Sequence, residues 1–376
     1  MRRAWIPFFV VLMSATALAL YRPASASVLY SVSQVTTFSN VGFTYGLSPD
    51  RSKVAGVVVT GAPSQMRATV KSGATVTQVN PLAGFTNSIG QALNDSGQAV
   101  GILSNTLGGY ATGDRAFYYD GVNVTQLPTL TTTSYTHAYD INNAQTVVGL
   151  SSFMPFKVHV GDAALVALPT IPAISSNGAA ASINNAGDIV GWLGILSGSP
   201  MPVIWHNGSV STLALAPGAT QGAATLINEQ GWIIGSTRST GPSHGAIYQT
   251  NGAATDIGAL ALGFSEALDV NSAGQVVGDA NVMAGSTPIS HAILYQTGQL
   301  LDLNDVIAPR SGMVLARAIS IDDSGDIFGT GFLAVGGNIS FELTPIPEPS
   351  IALVTFTIFV LSARARRTSR RGVRSW

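Results

Sequence analysis

The 376-residue sequence predicts an all-β chain, a seven-bladed β-propeller of four-stranded repeats roughly 45 residues long, closed by an N-terminal strand and followed by a single C-terminal transmembrane helix. Three observations predict it: a turn motif that recurs seven times in phase, a second hairpin between successive copies, and one unpaired strand at each end of the array.

The motif reads small residue, two variable positions, aliphatic, Asn or Asp, two variable positions, Gly, one variable position, two apolar residues and Gly. It occurs as Leu93-Asn94 to Gly101, Ile141-Asn142 to Gly149, Ile183-Asn184 to Gly191, Ile227-Asn228 to Gly235, Val270-Asn271 to Gly278 and Ile321-Asp322 to Gly329. Leu47-Ser48 to Gly56 is a degenerate first copy with one extra residue. The closing glycines lie 45, 48, 42, 44, 43 and 51 residues apart, a spacing that suits propeller blades.

An Asx side chain caps its own turn, and Gly three residues on takes the positive φ that closes a tight loop. Asn94 with Gly97, Asn184 with Gly187, Asn228 with Gly231, Asn271 with Gly274 and Asp322 with Gly325 are therefore read as hairpin turns. Asn142 is followed by Gln145 in place of the turn Gly, which predicts the least regular hairpin. The apolar pair and closing Gly then read as a strand buried on both faces, ending where backbone passes close to a neighbour.

The second hairpin appears as Arg115-Ala116-Phe117-Tyr118-Tyr119 before Gly121, Val203-Ile204-Trp205 before Gly208, His244-Gly245-Ala246-Ile247-Tyr248 before Gly252 and His291-Ala292-Ile293-Leu294-Tyr295 before Gly298. Each is an aromatic-rich strand, a Gly turn and a returning strand. Two hairpins per period make four strands. Residues 28–38 form a strand before the first motif, and only Ile339 to Leu343 follows the last, so the N-terminal strand can complete the seventh sheet and leave no unpaired edge.

Composition agrees. Charged residues are 10% of the chain where about 25% is usual, and Gly reaches 41 copies. Half of the 18 Lys and Arg lie in the termini, leaving residues 27–344 with nine against 18 Asp and Glu, an acidic body that argues against nucleic acid as a partner. The absence of cysteine excludes disulfides, thiolate metal sites and a cysteine nucleophile.

At the N-terminus, Arg2 and Arg3 precede an apolar run from Trp5 to Leu20, and Ala24-Ser25-Ala26 offers the small residues a signal peptidase reads. Residues 1–26 are the predicted signal peptide, cleaved after Ala26; residues 27–344 are the repeat body and 345–376 a separate terminal segment. That segment runs through Pro347-Glu348-Pro349, an apolar stretch from Ile351 to Ala363, and Arg364, Arg366 and Arg367. The apolar stretch is read as a helix crossing the inner membrane, its Arg cluster cytoplasmic and the body outside.

This succession resembles the PEP-CTERM sorting signal of Gram-negative bacteria. The resemblance implies recognition by a membrane-embedded exosortase, cleavage near Pro347-Glu348-Pro349 and delivery to the surface, usually in species that make exopolysaccharide. The turn motif together with His291-Ala292-Ile293-Leu294-Tyr295 resembles the HAF family of extracellular repeats over residues 40–345. That resemblance implies an extracellular repeat protein and carries no catalytic residue.

Chemistry is sparse. His137, His159, His206, His244 and His291 are spread over repeats, so they do not converge as metal ligands would. Asp322, Asp323 and Asp326 around Gly325 lack the further ligands of a calcium loop and read as a capped turn. No cofactor is implied. The sequence points to a non-enzymatic exported surface or biofilm-matrix protein, processed by signal peptidase and exosortase, that binds polysaccharide or another envelope protein through a propeller face. The alternative is a secreted propeller hydrolase acting on glycans, which would need two carboxylates placed across a funnel.

Overall fold

The computed structural model describes residues 30–346 except 39–41, 49, 51, 61–64, 74, 107–110, 131–134, 195, 197, 308–311 and 334–335. The predicted signal peptide with Ala24 and Ala26, the Pro347-Glu348-Pro349 motif, the membrane helix and Arg364, Arg366 and Arg367 lie outside the described residues. Among the described residues no helix is long and apolar enough to cross a membrane.

Each repeat folds into one four-stranded antiparallel sheet, and seven such sheets follow one another as the blades of an all-β propeller. Blade 2 shows the plan: an inner strand Asn87–Leu93, then Ala99–Ser104, Arg115–Tyr119 and a short outer strand Val124–Gln126. The other inner strands are Gly42–Leu47, Thr136–Ile141, Gly178–Ile183, Gln221–Ile227, Ser265–Val270 and Met313–Ile321. Blade 7 is completed as expected. Tyr30–Phe38 pairs antiparallel with Asn338–Pro345, from Tyr30 opposite Pro345 to Phe38 opposite Asn338, so the two ends of the described fold share one sheet.

The apolar core is divided into layers between successive blades. Val190 and Ile204 of blade 4 meet Ala224, Ile227, Ile233 and Tyr248 of blade 5, and Val100 and Tyr118 of blade 2 meet Ile141, Val147 and Phe156 of blade 3. The second strand of a blade is therefore buried on both faces, as in Ala99–Ser104, which is why its apolar residues do not alternate with polar ones. Burying each such aliphatic side chain contributes about 1.5–3 kcal/mol.

A bulge accounts for the small residue and the closing Gly of the motif. In every blade the inner strand carries an extra residue, for example Tyr139 between Ala138, opposite Gly149, and Asp140, opposite Val148. The bulge pushes a carbonyl toward the partner strand. A Cβ on Gly149 would collide with the His137 oxygen, and Gly101, Gly191, Gly235, Gly278 and Gly329 meet the equivalent carbonyls of Ile89, Ala179, Ala223, Glu266 and Arg317.

The turn at Asn142 corrects the expectation of irregularity. Gln145 itself adopts φ 59°, donates to the Asn142 oxygen at 3.0 Å and lets the Asn142 N–H donate to the Thr146 oxygen at 3.1 Å. Those bonds match the pair at Asn184. The pull of the flanking ladder exceeds the roughly 1–2 kcal/mol that a left-handed non-Gly residue costs.

Two glycines of the repeat should respond differently to Ala. At Gly149 the clash is with backbone, and Gly149→Ala is expected to lower stability by about 3 kcal/mol. Gly187 has φ 87° but no neighbour within 4 Å of an added Cβ, so Gly187→Ala should cost only about 1–2 kcal/mol through the dihedral alone. Denaturant unfolding of both variants checks the order.

Candidate functional site

The polar residues of the motif gather on one face of the propeller, where the inner strand turns into the second strand. Gly97, Gly187, Gly231, Gly274 and Gly325 take φ between 76° and 87° there. The Asx side chain works in two directions. Asn142 Oδ1 accepts the Thr146 N–H at 3.0 Å within its own turn, while Asn142 Nδ2 donates to the Asn184 oxygen of the next blade at 3.1 Å. Asn94 reaches the Asn142 oxygen at 3.3 Å, Asn228 reaches the Val270 and Asn271 oxygens, and Asn271 reaches the Asp322 oxygen at 3.0 Å.

The residue after the Asx, or in blade 1 the residue two past Ser48, adds a second link. Asp50 N–H donates to Asp95 Oδ1, Asp95 N–H to Asn143 Oδ1, Asn143 N–H to Asn185 Oδ1, Asn185 N–H to the Glu229 carboxylate and Ser272 N–H to Asp323 Oδ1. A third comes from the residue after the turn: Lys53 Nζ donates to the Asp95 oxygen at 2.6 Å and Trp232 Nε1 to the Ser272 oxygen at 3.2 Å. Asp322, Asp323 and Asp326 belong to this ladder; Asp322 Oδ1 accepts the Ser324 and Asp326 N–H groups at 2.9 Å, as a capped turn requires. Among the described residues no group of three metal-ligating side chains assembles.

His137, His206, His244 and His291 sit in separate blades and pair with aspartates that the sequence reading overlooked, while His159 shares blade 3 with His137 and its ring bonds the Val160 oxygen at 2.9 Å. His244 Nδ1 meets Asp256 at 2.9 Å and His291 Nδ1 meets Asp302 at 2.6 Å, joining the third and fourth strands of blades 5 and 6. The signal was present as an Asp just before the closing aliphatic of the fourth strand. His206 pairs with Asp188. His137 Nε2 meets Asp114 at 3.1 Å with both side chains buried; burial lowers the imidazole pKa against the opposing effect of Asp114.

A second missed set lies two residues before the Asx. Asp140 accepts from Ile141 N–H, Ile183 N–H and Ser182 Oγ–H, the last two in the next blade. Asp269 does the same with Val270, Ile321 and Ser320. Burial, with a smaller contribution from Glu229, pushes the Asp140 carboxyl up to about 6.

At the bulge common to the blades the extra residues of blades 2 to 7 are Gln91, Tyr139, Ala181, Thr225, Leu268 and Ile319, each at least partly exposed, and blade 7 has a second bulge at Ala316. None of these six is a carboxylate. Acidic groups do meet on one wall between blades 6 and 7, where Arg317 bonds Glu266 at 2.9 Å and lies 3.4 Å from Asp279. Asp279 also accepts from Ser290 Oγ at 2.6 Å. Burial raises the Glu266 pKa and Asp279 adds to the rise, while Arg317 opposes it. The chemistry of this group is that of an interblade ion pair with one spare negative charge.

The fold defines the class of protein: a seven-bladed β-propeller whose blades are laced by turn amides. A family profile described as "Protein of unknown function (DUF3466)" matches residues 13–154. No curated protein matches the chain. Among solved structures, the β-propeller domain of the Trilobed protease from Pyrococcus furiosus is 10% identical, with 73% of this chain and 95% of that chain covered and a TM-score of 0.45. The Trypanosoma rangeli sialidase in complex with the inhibitor DANA is 8% identical, with a TM-score of 0.36 over 89% of this chain. This chain spans 60% of the sialidase's length.

The raised Asp140 pKa carries a sign. A carboxyl whose folded pKa exceeds its unfolded value contributes stability that is full below the unfolded value near 3.8 and is lost as pH rises through about 6. Thermal melts between pH 4 and 8 should show the native chain losing more stability with rising pH than Asp140→Asn does.

Proposed function

We propose that the chain is a non-enzymatic surface or extracellular-matrix protein of a Gram-negative bacterium, exported by its N-terminal signal, sorted by an exosortase and associated with exopolysaccharide or another matrix component through a propeller face. The observation that carries this reading is the succession of Pro347-Glu348-Pro349, an apolar stretch and Arg364, Arg366 and Arg367 behind a repeat array. It is supported by the use of the motif's Asx residues in joining blades, which explains the recurring polar residues by architecture. Glu266 and Asp279, which meet between blades 6 and 7, are both engaged by Arg317.

Fractionation of the producing cells with mass spectrometry of the mature chain tests the proposal. The expected result is an extracellular body starting at Ser27 and ending near Pro347-Glu348-Pro349. A cytoplasmic chain with an intact Arg tail overturns it, as does release of reducing sugar ends by the purified protein that Glu266→Gln abolishes.

A further inference from the structure

Each blade packs on the next through the second apolar residue of its motif and the third-strand residue opposite it. In blades 2, 5 and 6 those pairs are Val100 with Tyr118, Ile234 with Ile247 and Val277 with Leu294, all buried. Blade 3 sets Lys157 opposite Val148, and Val148 stays fully buried. Blade 7 sets Glu342 opposite Phe328. Phe328 is 41% exposed, whereas Val100, Val148, Val190, Ile234 and Val277 at the same place in blades 2 to 6 are 0% exposed. A large aromatic side chain therefore meets water at the position the other blades bury most completely.

The face that blade 1 turns toward blade 7 departs in the same way. A blade meets the one before it through the first apolar residue of the motif, the third-strand residue opposite that, and the residue opposite the closing Gly. In blade 3 these are Val147, Val158 and Phe156, and in blade 7 Ile327, Leu343 and Phe341, every one buried. In blade 1 they are Val54, Lys71 and Thr69. Val54 and Thr69 are half-buried, and Lys71 is exposed. Blade 1 is not poorly packed as a whole, because Ala55 and Val70 on its other face are buried with Leu93 and Phe117 of blade 2. The departures fall on the two faces that one junction brings together. The amide ladder changes there as well: Asp322 holds the Asn position of blade 7, and its carboxylate has no N–H to give to blade 1. Chain continuity still tethers the two blades, since the strand ending at Phe38 belongs to the seventh sheet and the next strand, from Gly42, begins blade 1.

We propose that the junction of blades 7 and 1 is a parting seam, at which the ring opens and closes while all seven sheets stay folded. Apolar layers hold the other junctions shut, but separating these two faces brings Lys71, Thr69 and Glu342 into water, where polar groups are well solvated. Tyr30–Phe38 keeps its pairing with Asn338–Pro345 throughout, so opening requires no strand to leave its sheet. The motion is that of rigid bodies about one interface.

The chain has no cysteine, so spin labels can be attached at chosen sites, and double electron–electron resonance on the full chain tests the seam. One pair spans it, Ser31→Cys with Ser72→Cys. A second spans the junction of blades 2 and 3, Val122→Cys with Ala163→Cys, and a third lies within blade 7, Ser31→Cys with Ser324→Cys. All these positions are exposed. The expected result is two distance populations across the seam and one for each of the other pairs. Lys71→Tyr combined with Glu342→Leu, which brings to the seam the residue types of Tyr119 and Leu294, should remove the longer population and raise the melting temperature. A single population across the seam overturns the proposal. So does a second population within blade 7, which assigns the change to the N-terminal strand, and so does a longer population that persists in the folded double variant. If the double variant does not fold, the three pairs in the otherwise native chain decide.

Discussion

The amide of the turn Asn is the interaction on which the propeller depends. Its oxygen closes the hairpin from which it projects and its nitrogen donates to the backbone of the following blade, so one side chain fixes local and long-range structure together. Aspartate supplies the first function alone. The repeat keeps Asn in the five full copies from Asn94 to Asn271 and has Asp only at Asp322, in the last blade, after which the described chain adds Ile327–Leu333 and the strand Asn338–Pro345 that pairs with Tyr30–Phe38.

The second constraint is steric. A bulged inner strand throws a carbonyl against its neighbour, and Gly is the residue that can lie beneath it. The bulge also displays one residue per blade that packing does not fix. Variation from Gln91 to Tyr139 to Ile319 at that position is therefore compatible with a single fold.

Much of this was legible in the sequence, since period, turn chemistry and strand count are local properties repeated seven times. The pairing of Tyr30–Phe38 with Asn338–Pro345 followed from counting strands. What the sequence hid was contact between blades. The second role of Asn142 is invisible until Asn184 is known to lie beside it, and the aspartates opposite His244 and His291 sit on other strands. Gln145 misled because a side chain's intrinsic preference was weighed without the ladder on either side of it.

The most direct test of the Asx ladder compares two Asn-to-Asp substitutions, one in the ladder and one at an exposed turn outside it. Asn142→Asp keeps the intra-turn acceptor and removes the donor to blade 4, whereas Asn251→Asp changes an exposed side chain in the turn between the third and fourth strands of blade 5. In equilibrium denaturation Asn142→Asp should lose about 2 kcal/mol, and Asn251→Asp should stay within about 0.5 kcal/mol of the native chain. Equal stability of the two variants would contradict the claim that turn amides hold the blades together.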